Sequence, residues 1–136
     1  MSHDPRTLTD VEAVRPRVDA FVAAHVDRMR ALLATIGRDT EPLADAVDQM
    51  LSGGKRLRAA FCYWSWRAHG GVPGTPDEVA VLRVGAALEL FQAAALFHDD
   101  VMDDSDTRRG HAAAHRAFAE RHRRDGLEGD ARQFGL

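Results

Sequence analysis

The sequence predicts an all-α protein. Apolar residues recur at steps of three and four along most of the 136 residues, and glycine or proline signals separate the periodic stretches. No segment shows a convincing alternation of apolar and polar residues, so no strand is expected. Because 45% of the residues are hydrophobic, the chain can bury one modest core. We therefore expect a single domain over residues 9–136, after a flexible tail over residues 1–8.

The first two helices have recognisable ends. Thr9 and Glu12 form a capping-box pattern at the start of the first helix, which should stop near Gly37. A second, short helix can start at 40–42, where proline follows threonine and glutamate, and the glycine pair 53–54 ends it. The apolar positions that define these two helices are Val11, Val14, Val18, Phe21, Val22, Met29, Leu33, Leu43, Val47 and Leu51.

A third helix, from about Lys55 to His69, is apolar on most sides and should be deeply buried. Its aromatic side chains are expected in the core, and the same apolar helix carries the one cysteine, which should be unreactive there. These residues are Phe61, Cys62, Tyr63, Trp64 and Trp66.

The fourth helix has the clearest start, because Thr75 is a candidate N-cap, Pro76 lies at N1 and Glu78 at N3. Apart from Gly85, nothing breaks the pattern before Ser105, so the helix could run for about 30 residues, or roughly 45 Å. Its most apolar window, 81–97, contains an arginine and a glutamate and is shorter than the roughly 20 apolar residues that span a bilayer. We expect a core helix with no stable membrane insertion.

A weaker fifth helix covers 111–124, and residues 125–136 show no clear packing pattern. The formal net charge of -3, from 18 basic and 21 acidic residues, gives no support to a nucleic-acid partner. With one cysteine and no signal-peptide pattern at the N-terminus, a cytoplasmic protein is expected.

An unusual concentration of acid follows the fourth helix's apolar stretch, in "FHDDVMDDSDTRRG" (97–110). On a helix, Asp99, Asp103 and Asp106 would share one face, where like charges and the helix dipole are unfavourable unless a cation compensates. A solvated acidic helix end is one interpretation. The other is a site for Mg²⁺, a hard cation that prefers oxygen ligands and usually shares its site with substrate phosphates.

A basic element, "GGKRLR" (53–58), lies where one helix ends and the next begins. Its glycines permit close backbone approach, and Lys55 and Arg58 near a helix N-terminus suit a phosphate. An ordinary helix boundary is the alternative. His111 and His115 have the i, i+4 spacing of metal ligands, but no third ligand accompanies them, so a metal role is not favoured.

Together these two motifs resemble those of the trans-isoprenyl diphosphate synthases, or polyprenyl synthetases, in which a basic motif precedes DDxxD and RRG. The resemblance runs from about Thr9 onward and reaches only the N-terminal portion of such a protein, since no second aspartate-rich motif follows Gly110. It implies part of an isoprenoid-synthase-type helical bundle, a partial domain, and a homodimer when complete.

The resemblance also implies roles for individual residues. Asp99, Asp100 and Asp103 occupy the DDxxD positions, with Asp99 and Asp103 as Mg²⁺ ligands that hold an allylic diphosphate. Substrate contacts are implied for Lys55, Arg58 and Gln92 with isopentenyl diphosphate, Arg108 with the allylic diphosphate and Arg109 with isopentenyl diphosphate. Ala59 and Ala112 stand where the family often has proline.

The implied reaction lengthens an allylic diphosphate with isopentenyl diphosphate. Ala94 and Ala95 are small where a bulky aromatic would stop growth early, and Phe91 is the next large side chain back along the helix. These positions favour a C20 product, geranylgeranyl diphosphate. The chain alone is expected to be inactive; a non-catalytic helical module that binds Mg-diphosphate or a partner chain, and part of a class I terpene cyclase, are the alternatives.

Overall fold

The computed structural model describes residues 12–136 and confirms the all-α class. The predicted tail and the capping threonine Thr9 lie outside the described residues. The elements, in chain order, are α1 (Val14–Ile36), a 3₁₀ turn (Arg38–Thr40), α2 (Glu41–Leu51), α3 (Leu57–Ala68), α4 (Pro76–Met102), β1 (Thr107–Arg108), β2 (His111–Ala112), α5 (Ala114–Arg124) and α6 (Ala131–Gly135).

The described chain divides into two compact units, one ending at residue 92 and the other covering 93–136. Helix α4 contributes residues to both. In the first unit α1 packs against α2 and α3. One stripe of α1, at steps of four, is buried in this core, as the helical period predicts. The buried apolar residues of this unit include Val14, Val18, Val22, Val26, Ala44, Leu51, Ala59, Ala60, Tyr63, Leu82 and Ala86.

The predicted C-terminal ends of the first two helices agree with the structure, but the predicted capping box at the start of the first helix is wrong for Glu12. Helix α1 begins at Val14, so Glu12 lies before the helix and not at N3, and its carboxylate accepts hydrogen bonds from Tyr63 and Arg67. Helix α1 stops before Gly37, whose N–H donates to the carbonyl of Leu33 at 3.3 Å. Helix α2 stops before Ser52, and Gly53 and Gly54 then take positive φ angles of 69° and 86°. Glycine adopts this left-handed backbone without the steric cost that a Cβ adds, so the pair turns the chain toward α3.

Helix α4 begins at Pro76 as predicted, but its capping contacts differ. The hydroxyl of Thr75 donates to the carbonyl of Val72 at 2.7 Å, and the carboxylate of Glu78 accepts the N–H of Gly74 at 2.9 Å. Glu78 is buried, and it also accepts hydrogen bonds from Arg17 and Tyr63. The glutamate therefore joins α4 to α1 and α3 besides supporting its own helix start.

The prediction that the aromatics of α3 belong to the core is wrong for Phe61, which is 74% exposed. Tyr63 is fully buried, and Trp64 and Trp66 are half-buried. Residues two apart point about 200° apart around a helix, so Phe61 and Tyr63 cannot face the same core.

Helix α4 is less buried within the described residues than the sequence suggests. Only 28% of its most apolar window is buried, and large apolar side chains such as Val84, Leu88 and Phe91 are exposed. With a mean hydropathy of 1.6 over that window, the helix is long and apolar enough to cross a bilayer. One such helix is weak evidence for a span, because the core helix of a soluble protein meets the same criteria.

The second unit contains two features that the sequence analysis missed. The strands β1 and β2, of two residues each, pair antiparallel to form a hairpin. The prediction of no strand is therefore wrong for this short hairpin. Helix α6 packs on α5, with the ring of Phe134 lying 5.1 Å from that of His122. Asp130 caps α6 by accepting the N–H of Gln133 at 2.9 Å. An aspartate followed three residues later by glutamine is a helix-start pattern, and it could have predicted this helix.

Candidate functional site

The acidic segment lies at the C-terminal end of α4. The helix ends at Met102, three residues before Ser105, where the sequence pattern allowed it to continue. The N–H of Ser105 donates to the carbonyl of Asp100 at 2.9 Å and that of Asp104 to the carbonyl of Val101 at 3.3 Å. This is the Schellman arrangement, and Asp104 takes the left-handed position with φ of 51° that glycine usually occupies. The helix therefore ends at Met102, inside the aspartate motif.

Two of the motif's aspartates are exposed and one is buried. The N–H of Asp103 donates to the carbonyl of Asp99 at 2.8 Å, so these two residues lie one turn apart at the helix end. Both are exposed, whereas Asp100 is 1% exposed. Asp99 and Asp103 therefore lie on the same side of the helix end, as predicted, while their role as Mg²⁺ ligands stays a prediction and Asp100 has a different environment.

Asp100 is held by Arg108. Its Oδ1 accepts a hydrogen bond from Nε of Arg108 at 2.8 Å and another from Nη2. The bonded carboxylate of Asp100, followed by the charges of Asp99 and Asp103, raises the pKa of the Arg108 guanidinium. The buried Oδ2 of Asp100 has no hydrogen-bond partner in the described part of the chain. Asp100 therefore orients the arginine and leaves one acceptor atom unused.

The RRG motif forms the turn of the β1–β2 hairpin. Arg108 pairs with His111, and the two residues between them, Arg109 and Gly110, have φ angles of 52° and 82°. Two consecutive positive φ angles are what a two-residue type I′ hairpin turn requires. The turn places Arg109 at the hairpin tip, where it is exposed, while Arg108 returns toward α4.

The prediction that Asp106 shares a helix face with Asp99 and Asp103 is wrong, because α4 ends before it. Asp106 instead lies 3.1 Å from Nε of Arg116, and the carboxylate of Asp104 lies 3.1 Å from Nη2 of the same arginine. Arg132 approaches Asp104 at 3.7 Å. Arginines that follow in the chain therefore compensate the charges of Asp104 and Asp106.

The basic element belongs to the first unit. Lys55 and Arg58 are exposed on either side of the start of α3, and their predicted contacts with isopentenyl diphosphate stay predictions. Between them Arg56 is 8% exposed, with a left-handed backbone at φ of 50°. The motif predicts no role for this residue, because nothing in it distinguishes a buried arginine from an exposed one.

Arg56 contacts three helices. Its Nε donates to Asp19 of α1 at 2.7 Å, its Nη2 donates to the carbonyl of Leu51 at the end of α2 at 2.6 Å, and its Nη1 lies 3.9 Å from Glu89 of α4. Glu89 also accepts the N–H of Ala59 at 3.3 Å. Proline at position 59 would have no N–H to donate, so the alanine at this position has a structural consequence.

The remaining predicted residues lie on α4. Gln92 is half-buried, whereas Phe91 is 74% exposed and Ala94 and Ala95 are also exposed. The predicted isopentenyl contact of Gln92 and the predicted chain-length role of the other three stay predictions.

The donor set at the end of α4 fits Mg²⁺. Within residues 12–136 no group of three histidine, cysteine or acidic side chains is placed to hold a metal. Mg²⁺ does not require such a group, because it keeps several waters and is typically bound by one or two carboxylates together with substrate phosphates. The exposed pair Asp99 and Asp103 matches that pattern. The alternative at His111 and His115 gains no support, since His111 is exposed and His115 is 6% exposed.

Comparisons with known proteins agree with the motifs. The polyprenyl synthetase family model matches residues 40–123. The chain is 37% identical over 92 residues to solanesyl diphosphate synthase 2 of Arabidopsis thaliana, covering 66% of this chain and 22% of that protein. It is 37% identical over 97 residues to nonaprenyl diphosphate synthase of Mycobacterium tuberculosis, covering 70% of this chain and 28% of that protein.

A solved structure is similar over nearly all of the chain. It is geranylgeranyl pyrophosphate synthase from Corynebacterium glutamicum, crystallised with isoprenyl diphosphate and magnesium, with a TM-score of 0.73 and 34% identity. The similarity covers 98% of this chain and 36% of that protein, so this chain spans about a third of the length of that synthase. The family match over more than half of the residues shows that the chain belongs to the polyprenyl synthetase family.

Proposed function

We propose that this chain carries the first aspartate motif and the basic loop of a Mg²⁺-dependent polyprenyl diphosphate synthase, a transferase that joins isopentenyl diphosphate to an allylic diphosphate. The observation that carries the proposal is the exposed pair Asp99 and Asp103 at the end of α4, followed by the hairpin with Arg108 and Arg109. The names of the similar proteins, all of which are diphosphate synthases, support it.

The residues of the second unit suit an allylic diphosphate. Asp99 and Asp103 would hold Mg²⁺, which when bound neutralises negative charge on the leaving diphosphate. The guanidinium of Arg108 has five N–H donors, and its two bonds to Asp100 leave others to donate to diphosphate oxygens. A planar guanidinium held in this way is already oriented when the substrate arrives, which favours stabilisation of developing charge.

The residues of the first unit suit the second substrate. Lys55 and Arg58 are exposed cations next to a pair of glycines, and we assign them to the diphosphate of isopentenyl diphosphate together with Gln92. In the reaction the allylic C–O bond breaks, diphosphate leaves with the bonding electrons, and the isopentenyl double bond attacks the allylic cation. Loss of one proton from the isopentenyl unit then restores a double bond, so no protein nucleophile is needed.

A C20 product, geranylgeranyl diphosphate, is part of the proposal. Small side chains at Ala94 and Ala95 support a tail that passes the first turn of α4 before Asp99, and Phe91 is the first large side chain beyond them. A geranylgeranyl synthase among the similar structures is consistent with this length. For the complete enzyme we also propose a cytoplasmic location, supported by the unpaired Cys62, and a homodimer, supported by the family resemblance.

We expect negligible turnover from the 136 residues alone, because they include one aspartate-rich motif and match 22% to 36% of the proteins compared. Large apolar side chains such as Leu57, Phe61 and Phe91 are exposed within the described residues, as expected of helices whose packing partners lie elsewhere. A non-catalytic module that binds Mg-diphosphate would show the same features. A terpene cyclase would not need the basic loop at Lys55 and Arg58.

The test is turnover of radiolabelled isopentenyl diphosphate with an allylic diphosphate, by the 136-residue chain beside a complete version of the gene. We expect polyprenyl diphosphate from the complete protein and almost none from the chain. A complete protein that binds both diphosphates without joining them would favour the non-catalytic module. A complete protein that cyclises the allylic substrate without consuming isopentenyl diphosphate would favour a cyclase.

A further inference from the structure

We infer that Arg56 is a positioning residue, and that Asp19 and Glu89 act through it to hold Lys55 and Arg58 in place for the diphosphate of isopentenyl diphosphate. This inference rests on the proposed function of the basic loop. It assigns a role to two acidic residues next to a site for an anion, where acidic residues would otherwise be unfavourable.

The guanidinium of Arg56 fixes the loop from one side chain. It bonds to Asp19 at 2.7 Å and to the carbonyl of Leu51 at 2.6 Å, so it ties the residue before α3 to both α1 and the end of α2. With 8% exposure it has little access to an external ligand. An arginine that is buried and bonded to two helices is suited to fixing geometry, and its exposed neighbours Lys55 and Arg58 are suited to contacting substrate.

The backbone of the loop depends on such an anchor. Gly53, Gly54 and Arg56 have positive φ angles of 69°, 86° and 50°. Glycine adopts this conformation readily, but an arginine does so only when its surroundings hold it there. The two bonds to Asp19 and Leu51 supply that restraint, and releasing them would let Lys55 move away from Arg58.

Glu89 restrains the other end of the same segment. Its Oε1 accepts the N–H of Ala59 in the first turn of α3 at 3.3 Å, and its Oε2 lies 3.9 Å from Nη1 of Arg56. Glu89 is 9% exposed, so these contacts form in a protected environment. Helices α3 and α4 can approach closely here because residue 85 is glycine. A Cβ at that position would lie only 3.0 Å from the Cβ of Ala59. One carboxylate therefore contacts both the buried arginine and the first turn of α3, the helix that begins at Leu57 and carries Arg58.

A purely electrostatic role and a positioning role predict opposite changes in diphosphate affinity when Asp19 or Glu89 is neutralised. If the acids only lower the positive potential, Glu89→Gln and Asp19→Asn should bind an anionic diphosphate more tightly. If they position the loop, both variants should bind it more weakly although the protein has become more positive. A general loss of folding would reduce the fraction of molecules that bind, rather than the affinity of those that do.

The experiment is calorimetric titration of the 136-residue chain with isopentenyl diphosphate, giving both Kd and stoichiometry. We expect Glu89→Gln, Asp19→Asn and the charge-preserving Arg56→Lys each to raise Kd about 5- to 20-fold with unchanged stoichiometry, an effect about the size of one hydrogen bond. Asp27→Asn removes the same charge from an exposed position on α1 and should leave Kd within about twofold or slightly lower.

Equal or tighter binding by Glu89→Gln and Asp19→Asn would overturn the positioning role while leaving the basic loop as the binding site. A fall in stoichiometry at constant Kd would also overturn it, because that result indicates a scaffold role only. Arg58→Gln tests the proposed function itself. If this variant binds isopentenyl diphosphate with the wild-type Kd, the assignment of the basic loop to that substrate fails, and the positioning role fails with it.

Discussion

Arg108 donates two hydrogen bonds to one oxygen of Asp100, a carboxylate that is 1% exposed in the middle of the aspartate motif. Its neighbours Asp99 and Asp103 are exposed. The three aspartates therefore divide between two tasks, since a buried and ion-paired carboxylate supports the site whereas the exposed ones are available to a metal.

This division predicts different effects on stability. Removing one partner of a buried pair leaves the other uncompensated, and because Arg108 is partly exposed we expect Asp100→Ala to lower the free energy of unfolding by about 2 kcal/mol. Asp103→Ala should change it by less than about 0.5 kcal/mol, because exposed charges contribute little. Urea unfolding followed by circular dichroism measures both. Equal losses for the two variants would contradict the assignment of a supporting role to Asp100.

The hairpin turn predicts a requirement at Gly110. Its φ of 82° is costly for a side chain with a Cβ, so Gly110→Ala should destabilise the turn by about 1 kcal/mol and weaken diphosphate binding through Arg108 and Arg109. Gly110→Asn should retain most of the affinity, because asparagine tolerates the left-handed region. Gly37→Ala is the control, since φ of 164° is extended and nothing lies within 4 Å of an added Cβ. Equal affinity of Gly110→Ala and wild type would show that the turn does not position the arginines.

A pH dependence is expected from Glu78. Its hydrogen bond from Arg17, followed by those from the N–H of Gly74 and from Tyr63, lowers the pKa of this buried carboxyl from 4.5 to about 2. Because the pKa is lower in the folded state, the stabilisation is fully present above about pH 5 and is lost as the pH falls toward 2.

Glu78→Gln removes this contribution. We expect the variant to be less stable than wild type by about 2 kcal/mol at pH 7, with a difference that shrinks as the pH falls from 5 to 2. The exposed Glu41, at the start of α2, supplies the control variant Glu41→Gln. Unfolding measured at several pH values should show a constant small effect for that control. A constant large difference for Glu78→Gln would mean that packing, not ionisation, is responsible.

Product length is predicted from the spacing along α4. In a complete enzyme Ala94→Phe should shorten the main product, because the ring would occupy the path of the growing tail one turn before Asp99. Phe91→Ala should lengthen it by removing the next large side chain, about 12 Å from Asp99 at 1.5 Å per residue. Chromatography of the dephosphorylated products measures both effects. No change in chain length for either variant would remove these residues from the cavity.

Much of the fold was predictable because its signals are local. The positions of Pro76 at the start of α4 and of Gly37 after α1 depend on capping and backbone preferences that a single sequence displays. The end of α4 was not predictable, because Asp104 occupies the left-handed position of its Schellman motif. An aspartate there does not mark a helix stop as glycine would. Early termination removed Asp106 from the predicted acidic face.

The site was predictable in its residue types and not in their environments. A motif shows where aspartate and arginine occur, but burial of Asp100 or Arg56 depends on helices distant in sequence. Asp19 reaches Arg56 from 37 residues away. Such contacts are tertiary, so periodicity and spacing cannot reveal them.

We propose that Asp99 and Asp103 bind an allylic diphosphate through Mg²⁺. The decisive measurement is calorimetric titration of the chain with geranyl diphosphate, with and without Mg²⁺. The matched control is Asp104→Asn, which removes a neighbouring charge and keeps a residue that tolerates the left-handed backbone at that position. We expect Mg²⁺-dependent binding that Asp99→Ala and Asp103→Ala each weaken at least about 10-fold, equivalent to about 1.4 kcal/mol. Asp104→Asn should stay within about twofold of wild type. Equal losses at all three positions, or binding that does not require Mg²⁺, would contradict it.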